Sequence, residues 1–156
     1  MVIAAGLHEW LLFVHIVTAM IWVGGALLFD ALARRALRDG GESAISAFVS
    51  GLRVIGPMVF APAVVVLLGA GIWLVVEDDA WDFGQSWIQV ALGLFAAAFL
   101  IGVVYLSRAA LAAERAVAAG DYAAATRQLR QWSRAYTVVL VLLLVATWDM
   151  VFKPGV

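Results

Sequence analysis

The stretch Leu7–Leu28, LHEWLLFVHIVTAMIWVGGALL, is apolar over the length of a bilayer and yet carries both histidines of the chain. At a rise of about 1.5 Å per residue, a run of this length crosses a hydrocarbon layer about 30 Å thick as a single helix. Three more runs reach spanning length: Val54–Val76, Trp87–Leu106 and Tyr136–Phe152. The last is short, so it is expected to stand nearly upright or to borrow a turn from Arg134 and Ala135. Lipid offers no hydrogen bonds to a backbone, so each run must be helical.

Composition agrees. The chain is 65% hydrophobic and 13% charged, with a mean hydropathy of +1.02, against about 45–50% apolar and about 25% charged in soluble domains. The expected fold is an all-α, four-transmembrane-helix bundle built from two helical hairpins, with residues 1–156 forming a single integral membrane domain. A net charge of −1 gives no reason to expect nucleic acid as a partner. The absence of cysteine excludes a disulfide framework, a thiolate metal site and covalent haem attachment. Any haem is therefore held without a covalent link. Met1–Gly6 has no basic segment ahead of the first apolar run, so that run is expected to stay as a span and not be cleaved as a signal peptide.

Charges are sorted along the chain. Arg34, Arg35, Arg38 and Arg53 fall in the first connection, and Arg108, Arg115, Arg127, Arg130 and Arg134 in the third. The second, Glu77-Asp78-Asp79-Ala80-Trp81-Asp82, has no basic residue. By the positive-inside rule the acidic loop and both termini lie outside, in a bacterial cytoplasmic membrane. Trp10, Trp81, Trp87 and Trp148 are expected at the outer interface and Trp132 at the inner one.

The cytoplasmic connections read as helical extensions. The first continues through Ala31–Arg38, stops at Asp39-Gly40-Gly41 and restarts with Ser43 as N-cap; the second breaks at Gly120 and restarts with Asp121 as cap. Pro57 sits where a first helical turn tolerates it, while Pro62 lies inside the second span and predicts a kink that opens room beside the first. Gly24-Gly25-Ala26, Gly69-Ala70-Gly71 and Gly93 with Ala97 are expected to let helices approach closely.

His8, His15 and Trp22 are spaced by seven and share one face with Leu11, Leu12, Thr18, Ala19, Gly25 and Ala26; Trp10, Val14, Val17, Ile21 and Leu28 form the lipid face. His15 lies about 12 Å below the outer boundary. An ionisable side chain at that depth marks a candidate site, and a neutral imidazole there can ligate through one nitrogen while the other donates to Thr18, a carbonyl or water. Two histidines about 10 Å apart on one helix cannot share one metal ion. The candidate set is thus His15 with Trp22 and Thr18 around a cofactor, and His8 with Met150 at the outer rim. Glu9 and Asp149 stand at the same level as an acidic mouth for protons or cations. Asp30 and Arg34 form an i,i+4 ion pair that Arg108 could join.

The run His15-Ile16, then Trp22-Val23-Gly24-Gly25 and a basic turn, resembles a group of small four-helix bacterial membrane proteins classed as a domain of unknown function. The acidic loop, the Trp87-Ile88 start and the Trp148-Asp149 ending extend the resemblance over most of the chain. That group looks like a relative of the CopD copper-resistance domain and of the HemJ-type membrane proteins. The resemblance implies haem b on His15. With the neutral histidine alone at depth on a small, polar face beside a kinked helix, the leading expectation is a haem b-binding redox or quinone-linked membrane protein, with a quinone or redox protein as partner and a homo-oligomer as a further option. HemJ-type proteins also use an intramembrane lysine, and here the only lysine is Lys153, which argues against protoporphyrinogen oxidation. Copper handling, the CopD-like alternative, would find only His8 and Met150 at the outer rim. A third reading is a non-catalytic membrane subunit whose histidines tie helices together.

Overall fold

The computed structural model describes residues 2–155, and every regular element among them is helical. Helix α1 (Val2–Asp39) runs without interruption from the acidic end of the molecule to its arginine end. At about 57 Å it outruns the hydrocarbon layer by several turns. The chain turns at Gly40, whose φ of +65° suits glycine, and α2 (Glu42–Ile55) follows. Gly41, in extended backbone, takes the cap position without a side-chain bond. Ser43 is not the cap, because the turn closes early enough to put it in the first helical turn.

Between α2 and α3 (Ala61–Glu77) the helix does not break. It widens into a π-helical stretch, Gly56–Phe60, whose last carbonyl-to-amide step runs from Gly56 to Ala61. Pro57 and Pro62 each remove one amide donor near this stretch, and the wider turn absorbs the mismatch. The expected opening beside the first span is occupied: Phe60 packs against Gly25 and, at 5.4 Å between ring centres, against Phe29. A second π-helical stretch, Ile101–Leu106, joins α4 (Ser86–Leu100) to α5 (Ser107–Ala118). Both wide turns stand where a span passes into its arginine-end extension. Helix α6 (Tyr122–Phe152) begins with Asp121 as its cap, accepting from the Ala124 amide at 2.8 Å.

Four continuous helices are therefore long and apolar enough to cross a membrane. In the bundle α1 packs on α3 and α6, α4 packs on α6, and α2 meets α5 at the arginine end. Helices α3 and α4, although consecutive, do not pack along each other. The core runs down α1 through Trp22, Ala26, Phe29, Ala33 and Ala36, and continues through Phe48, Leu67, Ala98, Leu129, Trp132, Tyr136 and Leu143. The inward stripe of α1 is thus the expected one below Thr18, although Leu12 is exposed while Val14 and Val17 are partly covered. Only some small residues bring helices together. Gly25 and Gly71 face neighbours closely, whereas a Cβ at Gly24, Gly69 or Gly93 would meet no heavy atom within 4 Å.

The ends differ in how they are tied. At the acidic end the rings of Trp81 and Trp87 meet at 5.6 Å, Lys153 lies over both at 4.4 and 5.2 Å, and Ser86 donates to the Pro154 carbonyl at 3.1 Å. Trp87 is buried in this knot, not spread at an interface, whereas Trp10 and Trp148 are exposed as expected. Trp132 is likewise a core residue, stacked on Tyr136.

Candidate functional site

His15 leaves α1 on the side that faces α3. Its Nδ1 lies 3.1 Å from the Leu67 carbonyl, one helix across. A carbonyl only accepts, so Nδ1 carries the proton and Nε2 of the neutral ring keeps its lone pair. That carbonyl also belongs to the helical ladder of α3, and the ring reaches it because the next turn holds Gly71. A Cβ at Gly71 would come within 2.9 Å of His15 Cε1 and 3.2 Å of Nδ1. The sequence reading placed Gly71 among packing residues; in the structure it is what admits the imidazole. Of the three acceptors expected for this nitrogen, Thr18, a carbonyl and water, the ring meets a carbonyl.

Thr18 does not orient that ring. Its hydroxyl turns back on its own helix, 2.7 Å from the Val14 carbonyl and 3.0 Å from that of His15, the usual way a buried hydroxyl is satisfied inside a helix. Trp22 is 8% exposed and meets Phe95 of α4 edge-on at 5.4 Å. It closes the bundle two turns below His15 and joins α1 to α4 there. Phe95 is a site neighbour that the sequence reading missed, since nothing local marks which phenylalanine of α4 faces α1.

His8 belongs to the aromatic knot of the acidic end, with its ring 6.0 Å from Trp81. Lys153 sits over the same Trp81 ring, which brings a positive charge into that knot. Helix α6 turns Asp149 into the protein and leaves its neighbour Met150 exposed. Among the described residues, no three His, Cys, Asp or Glu side chains stand close enough together to hold a metal ion. Glu9 is exposed.

Asp149 is 2% exposed, and its Oδ2 has no hydrogen-bond partner among the described residues. The same holds for Oε2 of Glu77 at the end of α3. A buried carboxyl oxygen without a partner costs about 1–3 kcal/mol, so removing the group relieves the fold. Asp149→Leu is expected to raise the midpoint of thermal unfolding in detergent; a lowered midpoint would mean that the carboxyl is bonded. A residue kept at such a cost is a candidate for function.

At the arginine end, Asp30 and Arg34 pair at 2.8 Å as expected. The third member is not Arg108 but Thr137 of α6, whose Oγ1 accepts from Arg34 at 3.0 Å and lies 3.2 Å from Asp30 Oδ1. Residues 30 and 137 are too far apart in sequence for any spacing rule to join them.

A family model described as "Predicted integral membrane protein (DUF2269)" matches residues 9–154. No curated protein and no solved structure matches the chain.

Proposed function

The chain belongs to this family of predicted integral membrane proteins, and we propose that it works there as a haem b-binding redox or quinone-linked protein, with His15 as an axial ligand. The observation that carries the reading is the state of the imidazole: Nδ1 is tied to the Leu67 carbonyl and Nε2 has no hydrogen-bond partner among the described residues. A ring held in this way has one orientation and one tautomer, and the hydrogen bond at Nδ1 raises the basicity of the ligating nitrogen. Gly71 supplies the space, and the Trp22–Phe95 contact forms the floor. Helices α3 and α4 do not pack along each other, and a flat hydrophobic group would enter between them. Haem b bound there would supply one-electron exchange.

Sorting of charge supports a bacterial cytoplasmic membrane as the location, with the arginine end in the cytoplasm and both termini outside. Copper handling at the opposite end is the weaker reading, because the positive Lys153 shares the Trp81 ring with His8.

The test is spectroscopic. Protein purified from membranes of a haem-supplied host is expected to give a reduced-minus-oxidised b-type spectrum in wild type and His8→Ala, and none in folded His15→Ala. Folded wild type without a haem signal would sink the proposal. Stoichiometric copper that disappears in His8→Ala would transfer the function to the acidic end.

A further inference from the structure

The arginine end holds an open pocket of about 390 Å³ between α1 and α6. Each helix contributes residues at i, i+3 and i+4: Arg34, Leu37 and Arg38 from α1, and Arg130, Ser133 and Arg134 from α6. This spacing stacks them on one helical face, so four arginines line one space. Three of the four charges are not cancelled locally. Arg34 is held by Asp30, and the neighbouring carboxylates Asp39 and Glu114 are taken by Arg35 and Arg53. Arg38, Arg130 and Arg134 form no ion pair among the described residues.

We propose that this pocket binds the phosphate of an anionic phospholipid headgroup. Guanidinium forks match phosphate oxygens in geometry and charge, and basic pockets between membrane helices suit lipid headgroups. Depth decides for a lipid over a free anion. Arg134 stands about 3 Å beyond the start of the last apolar run, and Arg34 and Arg130 about 9 Å beyond the runs they follow or precede. The headgroup layer is about 5–8 Å deep on each side of the hydrocarbon, so Arg134 stands within it and Arg34 and Arg130 at its outer edge. Leu37 gives the pocket an apolar wall, and Arg34 is fixed in place by Asp30 and Thr137. The inference is independent of any cofactor at His15.

The test uses the full chain in a neutral detergent, titrated with short-chain phosphatidylglycerol, short-chain phosphatidylcholine and inorganic phosphate, with thermal stabilisation as readout. Phosphatidylglycerol is expected to stabilise at the lowest concentration. At about 1 kcal/mol per basic residue, or about fivefold in affinity, Arg130→Gln/Arg134→Gln should weaken that response by more than about tenfold. Arg130→Lys/Arg134→Lys, which keeps the charge, should retain most of it, and Arg115→Gln/Arg127→Gln, outside the pocket, should match wild type. Equal loss in the two glutamine pairs would overturn the site. Equal potency of phosphatidylcholine would remove the anionic headgroup, and equal potency of inorganic phosphate would remove the lipid.

Discussion

Replacing Gly71 by valine is expected to abolish the proposed b-type spectrum as fully as His15→Ala, although residue 71 has no chemistry of its own. The first β-carbon would stand 2.9 Å from His15 Cε1, a separation that packed carbon atoms do not adopt, and the two γ-carbons of valine add to the crowding. The ring cannot yield freely, because Nδ1 is bonded to Leu67 O one turn earlier on the same helix. Either the imidazole swings away and the hydrogen bond is lost, or α3 moves off α1. Overpacking costs about 1–3 kcal/mol, and a lost hydrogen bond about 0.5–1.5 kcal/mol. Gly69→Val separates this effect from any general intolerance of valine in α3, since a Cβ there meets nothing within 4 Å. Spectra and thermal unfolding of the two variants side by side decide the matter; matching behaviour at the two positions would mean that His15 is not packed on Gly71.

The contrast between Gly69 and Gly71 also shows what the sequence can and cannot tell. Helix number and inward stripe were legible in α1, because the bilayer fixes the length of a run and the spacing by seven of His8, His15 and Trp22 fixes a face. Local signals worked too: Gly40 and Gly120 both adopt positive φ where helices were expected to stop, and Asp121 caps α6. What stayed hidden depends on which helices are neighbours. The Leu67 carbonyl is a backbone atom and leaves no trace in residue type, and two glycines in one patch look alike until α1 is laid against one of them. Thr137 and Phe95 were missed for the same reason. The prolines were legible as a disturbance but not as its form, since a π-helical turn and a kink both answer to one missing donor.

Trp132→Ala should produce the largest loss of stability of any single truncation at the arginine end. Trp132 is 4% exposed, stacked on Tyr136 at 4.4 Å and edge-on to Phe48 of α2 at 5.6 Å. Phe48 in turn meets Phe29 of α1 at 6.1 Å, so one indole joins α6 to α2 and, through it, to α1. Its level matters energetically. Within the hydrocarbon no hydrophobic effect drives helices together, but Trp132 lies beyond the start of the last apolar run, where the extensions meet water and burial of an aromatic ring is favoured. Removing such a ring leaves a cavity and costs about 3–5 kcal/mol. Trp10→Ala, at a position 68% exposed, should stay within about 0.5 kcal/mol by the same measurement. Trp132→Phe, which keeps a ring between Phe48 and Tyr136, should recover most of the difference. An unfolding midpoint that moves no further for Trp132→Ala than for Trp10→Ala would show that α6 is held at this end by something other than the indole.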